Sequence, residues 1–305
     1  MAPTRTVGRD ALTLGTYRLG AAIARALPGP IATGTATALG ATMATAMVER
    51  RDMVERHLRR ADPSLRGFAL RRASQRAFDW YARYWVESFK LPTMSRRTVD
   101  RWFSVDGFDR ISAGLEHGNG VILALPHLGG WEWAGRWMCD QGYSLTVVVE
   151  ALDPPELFEW FADLRADLGM NVVPLGPAAG PAVAKALRDN HVVCLLCDRD
   201  LGGGGVEVEF FGERTRLPAG PATLGLRAGA PVLPTAVYFT DRGGYGHHAI
   251  VRPALDMTRS GDGLRADVAR VTQALAHELE RLIRRAPDQW HLFQPNWPSD
   301  PGYEG

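Results

Sequence analysis

From about residue 104 onward the chain alternates short apolar runs with longer amphipathic stretches, and this rhythm restricts the possible folds more than any single residue does. The runs at 120–125, 144–149, 171–175, 191–197, 206–211 and 232–239 have the length and composition of buried strands. Helices are predicted over 131–141, 155–168, 178–189 and 219–228. A last one over 264–285 places Val268, Val271, Leu275, Leu279 and Leu282 on one face. Strand and helix in alternation predict an α/β fold, a central mostly parallel or mixed sheet flanked by helices. There is no internal repeat, and the run Gly202-Gly203-Gly204-Gly205 is too short to separate domains.

The first hundred residues are of another kind. They read as helical throughout, broken at Pro28-Gly29-Pro30 and at Asp62-Pro63-Ser64, so residues 1–100 form a helical layer on an α/β core over 101–305. The net charge of +1 hides an asymmetry, because residues 1–100 hold 17 Lys+Arg against 8 Asp+Glu while the remainder is acidic. Two readings of that basic block stay open: solvated helix faces, or contact with an anionic membrane surface or a phosphorylated cofactor. No zinc-finger spacing or RNA-binding signature supports nucleic acid. Residues 26–48 carry no charge, yet they consist largely of Ala, Thr and Gly, which predicts a packed or interfacial helix rather than a membrane crossing. Phe78, Tyr81, Trp85 and Phe89 form an aromatic stripe flanked by Arg72, Arg76 and Arg83, suited either to packing on the sheet or to the headgroup level of a bilayer.

The strand at 120–125 ends in Pro126-His127-Leu-Gly129-Gly130-Trp-Glu132, which sets an imidazole and a carboxylate at a strand-to-helix junction. Open α/β sheets expose their chemistry at the carboxyl ends of strands, and this pair has the parts of a general base and its orienter. Asp198-Arg199-Asp200 and Glu150 also follow strands, so charge collects at the same edge of the sheet. Arg165 lies on a helix whose other charges are able to satisfy it.

Three cysteines, Cys139, Cys194 and Cys197, make no disulfide framework, and no signal-peptide pattern opens the sequence, which favours a reducing cytoplasmic setting. Cys194 and Cys197 fall inside an apolar run with no second pair, so a buried structural role is expected and no metal site. The glycine run lacks the Lys-Ser/Thr of a phosphate-binding loop, and His247-His248 reads as part of a solvated turn.

Taken in order, these segments resemble the lipid A biosynthesis acyltransferase family of late acyltransferases over roughly residues 100–298. The resemblance rests on His127-x4-Glu132, Arg165 with Gly169, Leu195 to Asp200, Val208 to Gly212, Pro221 to Pro234 and Pro287-Asp-Gln-Trp290. Arg199 stands where the family commonly has Gln, and no convincing membrane anchor opens the chain. Both departures point toward the actinobacterial branch that acts on phosphatidylinositol mannoside. The resemblance implies a glycerolipid-acyltransferase-like fold and transfer of a long acyl group, palmitoyl by expectation, from acyl-CoA to a mannose 6-hydroxyl of a membrane glycolipid acceptor. Acyl-CoA is then a cosubstrate, and neither a resident cofactor nor a metal is required.

Within that reading, Glu132 accepts a hydrogen bond from one nitrogen of His127, whose other nitrogen takes the hydroxyl proton. Backbone N–H groups at Gly129 and Gly130 are oxyanion candidates. Glu150, Asp198 and Asp200 are expected to bind sugar or inositol hydroxyls, and Arg165 and Arg199 to meet phosphate or brace the site. No Ser or Cys sits in a nucleophile-elbow context near His127, which favours direct attack over an acyl-enzyme. A peripheral place on the cytoplasmic face of the plasma membrane follows. The alternatives are a lipid A-type or other glycerolipid acyltransferase and, from another class, a non-catalytic lipid-binding membrane protein.

Overall fold

The computed structural model describes residues 7–150, 154–240 and 245–303, so the extreme termini of the two parts divided at residue 100 lie outside the described residues. Four helices come first: α1 (Val7–Ala26), α2 (Gly29–Ala46), α3 (Val48–Ala61) and α4 (Gly67–Lys90). A short α5 (Arg96–Arg101) leads into β1 (Phe103–Asp106), α6 (Phe108–Glu116), β2 (Val121–Leu125) and α7 (Trp131–Asp140). Then follow β3 (Leu145–Val149), α8 (Pro155–Ala166), β4 (Asn171–Pro174), α9 (Ala179–Arg188) and β5 (Val192–Leu196). The chain finishes with β6 (Val206–Phe210), β7 (Glu213–Leu217), α10 (Gly220–Ala228), β8 (Val232–Phe239), β9 (His247–Val251) and α11 (Leu264–Arg285).

Seven strands form one sheet in the order β1-β9-β8-β2-β5-β3-β4. All neighbouring pairs are parallel except β8 and β9. The central strands are apolar on both faces because helices cover both sides, and every residue of β2 and β8 is buried. One face packs against α9 and α11 through Ile122, Val193, Val183, Leu187, Leu275 and Leu279. The other packs against α6 and α7 through Leu123, Leu125, Val237, Ile111, Trp133 and Met138. This is the mixed α/β sheet with helical flanks that the alternation predicts.

Three departures are instructive. The run at 206–211 is not in the main sheet: β6 pairs antiparallel with β7 in a separate hairpin. The strand β7 escapes sequence reading because only alternate residues of Glu213-Arg-Thr-Arg-Leu217 are buried, Thr215 and Leu217. Strand β9 opens with His247 and His248, which resemble a polar turn in the sequence, yet His247 is buried between Trp133 and Phe239.

The stripe on α4 resolves in favour of packing. Phe78 stacks near Phe293, Tyr81 meets Phe293 and His291, and Trp85 and Phe89 meet Phe161 and Trp160, so these rings serve the interior and not a bilayer. Arg83 is also no surface charge. Its side chain is 9 % exposed, bonds Glu87 at 2.6 Å and lies over Phe239. Arg76 pairs with Asp288, and Arg72 alone of the three is exposed without a partner. The helix α2 buries Ala36 and Ala44, and among the described residues no helix is long and apolar enough to cross a membrane.

Candidate active site

Strands β2 and β5 are adjacent and parallel, with Leu125 level with Leu196. His127 and Asp198 each lie two residues past that shared level, so the two strand ends deliver their side chains to the same point. His127 Nδ1 lies 2.7 Å from Asp198 Oδ1, and the backbone N–H of His127 donates to Oδ2 at 3.0 Å. The indole N–H of Trp290 also donates to Oδ2, at 2.7 Å. An ionised Asp198 therefore fixes the tautomer in which Nδ1 carries the proton. The carboxylate is 0 % exposed, whereas the imidazole is 35 % exposed and open to a substrate.

Burial alone would drive both groups toward their neutral forms, and the pairing reverses that for each. Desolvation lowers the His127 pKa, but the charge of Asp198 and its hydrogen bond outweigh it and leave the value above the ordinary one; Arg199 opposes and Glu150 assists. Desolvation raises the Asp198 pKa, and the His127 charge, the His127 and Trp290 side chains and the His127 N–H together bring it below the ordinary range.

Glu132 does not orient His127. It is buried on the first turn of α7, where its Oε1 accepts from Tyr84 Oη at 2.6 Å and from Arg165 at 3.0 Å. The four-residue spacing carries its carboxylate toward α4 and α8 instead. Its pKa is raised, chiefly by burial, with Arg165 and Tyr84 pulling the other way. Arg165 in turn lies over the Trp131 ring, so Glu132, Arg165 and Tyr84 tie three helices together directly behind the histidine loop.

Two more assignments change. The N–H of Gly129 is committed to the carbonyl of Gln289 at 3.0 Å, so it is unavailable as an oxyanion donor. Its glycine is required for another reason: φ is +63°, and a Cβ would collide with the carbonyl oxygen of Val237 in β8. Gly130, the N-cap of α7, likewise has His247 where a Cβ would project. Asp200 accepts from the Gly202 and Gly205 N–H groups, at 3.1 and 2.6 Å, and so holds the glycine run. Glu150 is exposed just beyond β3, and Arg199 is partly exposed beside Asp198.

Tyr84 and His291 carry no signal in the sequence that marks them as site residues, and Trp290 stands out there only as part of the Pro287-Asp-Gln-Trp290 motif. His291 sits beside Tyr81 and Tyr84 with both ring nitrogens buried and unpartnered. Burial, aided by the charge of nearby His127, pushes its pKa down to about 3, so it is neutral. Cys194 and Cys197 fall in the packing on opposite sides of the sheet, and burial drives the Cys194 thiol up to about 12 and Cys197 well above the ordinary value. Neither has the thiolate character of a nucleophile.

Between the sheet and helices α6 and α7 lies a small apolar cavity of about 40 Å³, lined by Leu123 and Leu125 of β2, Trp131, Ala134 and Met138 of α7, and Val237 of β8, among others. Leu125 and Trp131, which flank the histidine loop in the chain, are part of its wall.

Comparison with known proteins places this geometry in context. Residues 10–299 match the profile of the bacterial lipid A biosynthesis acyltransferases, so the match takes in the amino-terminal helices as well as the sheet. A phosphatidylinositol mannoside acyltransferase of Mycobacterium tuberculosis (strain CDC 1551 / Oshkosh) is 45% identical over 225 residues, 72% of this chain and 68% of the relative. One from Mycolicibacterium smegmatis is 41% identical over 223 residues, 72% and 70% of the two chains. The lipid A biosynthesis palmitoleoyltransferase of Escherichia coli K12 is 26% identical over 198 residues, 63% and 60% of the two chains.

Proposed function

Because the chain belongs to the bacterial lipid A biosynthesis acyltransferase family and is therefore an acyltransferase, we propose that it moves a palmitoyl-class chain from acyl-CoA to the 6-hydroxyl of a mannose on phosphatidylinositol mannoside. The observation that carries the chemistry is the 2.7 Å contact between His127 Nδ1 and the fully buried Asp198. With Nδ1 held as a donor, Nε2 accepts the proton of the acceptor hydroxyl while its oxygen attacks the thioester carbonyl. The tetrahedral oxyanion collapses, the C–S bond breaks, and the coenzyme A thiolate takes the proton back from His127. The opening turn of α7 at Gly130 supplies N–H groups and the positive end of a helix dipole near the oxyanion.

The acyl tail requires an apolar channel larger than the cavity between the sheet and helices α6 and α7, reached past Leu125 and Trp131, in which each buried methylene contributes about 0.8 kcal/mol. Glu150 and Arg199 remain as polar contacts for the acceptor. Glu132 and Arg165 form the wall behind His127. The enzyme works as a peripheral protein on the cytoplasmic face of the plasma membrane, where the exposed Leu19 and Ile23 of α1 and Phe68 of α4 lie among basic residues and meet the lipid.

Mass spectrometry of products from the purified protein, palmitoyl-CoA and a panel of glycolipid acceptors tests this reading. A mono-palmitoylated phosphatidylinositol mannoside, with the ester on a mannose 6-carbon by fragmentation, is expected. Turnover on lipid A precursors with none on the mannoside would reject the acceptor, and no acyl transfer to any lipid would reject the enzyme.

A further inference from the structure

The two members of the His127–Asp198 pair come from separate strands, and one segment beyond α11 touches both. After the 3-10 turn Pro287–Gln289, residues 289–291 run antiparallel to 127–129: Gly129 N–H donates to Gln289 O at 3.0 Å and His291 N–H to His127 O at 2.7 Å. Trp290, between these bonds, turns its indole N–H onto Asp198 Oδ2. Gln289 closes the end of β8 by bonding the N–H and C=O of Phe239 at 2.7 and 3.1 Å, and Asn296 Nδ2 donates to the backbone carbonyl of Asp198 at 3.0 Å. The far end of the segment is anchored on α3, where Asp300 meets Arg60 at 2.7 Å and His57 at 3.3 Å.

We propose that Trp290 is a positioning residue for acyl transfer and that residues 289–300 form a strap aligning the base with its acid. The proposal rests on His127 acting as the base. Oδ2 of Asp198 takes two donors, the His127 backbone and the indole, and that leaves Oδ1 directed at the imidazole. Without the indole N–H, one donor holds Oδ2, and the carboxylate is free to turn away from Nδ1. The rest of the indole has an independent packing role against Phe211, His57 and Trp297, so the N–H must be removed without removing the ring.

The test replaces Trp290 by benzothienylalanine, which keeps the bicyclic shape and exchanges N–H for sulfur, in the full chain assayed with palmitoyl-CoA and phosphatidylinositol mannoside in mixed micelles. Trp290→Phe, which also gives up part of the ring's packing, is a coarser encoded check, read only where near-ultraviolet dichroism is retained. We expect kcat to fall about 10-fold, the rate equivalent of one hydrogen bond to a charged group, with KM unchanged. The acid limb of kcat/KM should move to lower pH, because a carboxylate turned away holds the imidazolium less well while Arg199, Glu150 and neutral His291 around it are unaltered. In an Asp198→Asn background the same replacement should cost nothing further. Wild-type kcat and an unmoved limb would overturn the proposal, as would an equal loss in the Asp198→Asn background. A near-wild-type rate for Asp198→Asn itself would instead overturn the base-and-acid reading on which the proposal stands.

Discussion

Asp198→Asn is the most discriminating single change, since it alters one atom in a site whose partners are all fixed. Oδ2 accepts two N–H groups and must remain an oxygen, so the amide nitrogen of the variant falls at Oδ1 and points at His127 Nδ1. Two donors cannot face one another there. The imidazole responds by shifting its proton to Nε2, where it can no longer accept a proton from the acceptor hydroxyl. The expected loss in kcat is that of a disabled general base, about 10²–10⁴-fold or about 3–5 kcal/mol in the barrier, with KM little affected. The assay is release of coenzyme A thiol at saturating palmitoyl-CoA and phosphatidylinositol mannoside. A pH series adds a second readout. His127 must be neutral to act, so wild-type kcat/KM should rise with pH through a midpoint above the ordinary histidine value of about 6.5. Removing the carboxylate charge should bring any residual limb down. A folded Asp198→Asn enzyme retaining more than about a tenth of wild-type kcat would refute the argument, since the tautomer shift alone forbids it.

Three further changes separate the neighbouring roles. Glu132→Gln should leave Nδ1 of His127 undisturbed and the pH limb in place, and lower melting temperature more than kcat, because it breaks the buried contact with Arg165; a shifted limb in calorimetrically intact protein would return Glu132 to the proton path. Cys194→Ser and Cys197→Ser should keep acyl transfer in whatever fraction folds, and an acyl adduct on either sulfur that passes to acceptor at the turnover rate would end the direct-attack scheme. Arg71→Gln with Arg72→Gln, both exposed beside Phe68, should weaken sedimentation with anionic vesicles more than with neutral ones, and increasingly so at low salt; binding indifferent to salt and to the two changes would remove this end of α4 from the membrane contact.

Much of this architecture is legible in the sequence because buried parallel strands are written as nearly uninterrupted apolar runs. Strands β2, β3, β4, β5 and β8 and helices α7 to α11 all fall where periodicity puts them, within a residue or two. Strands β7 and β9 are missed for the opposite reason. One is solvated on alternate residues, and the other carries His247, whose Nδ1 meets the carbonyl of Tyr245 and whose Nε2 lies 3.1 Å from Glu87 inside the protein. The exposed-arginine reading of Arg83 fails in the same way, because its partner Glu87, four residues along the helix, carries the charge inward with it.

The site shows where such reading ends. A sequence lists strand ends but not which strands are neighbours, and the His127–Asp198 contact depends on β5 lying next to β2 although two strands and three helices separate them in the chain. Short spacing made Glu132 the natural partner, yet a residue two places into a helix is turned by that helix, whereas residues at equal depth past two paired parallel strands converge. The same geometry accounts for Trp290, which reaches Asp198 from 92 positions away and enters the sequence reading only as the end of the Pro287-Asp-Gln-Trp290 motif. Topology, once known, brings His127, Asp198 and Trp290, far apart in the sequence, to one point, and it turns Glu132 and Asp200, equally conspicuous in the sequence, toward α4 and α8 and toward the glycine run.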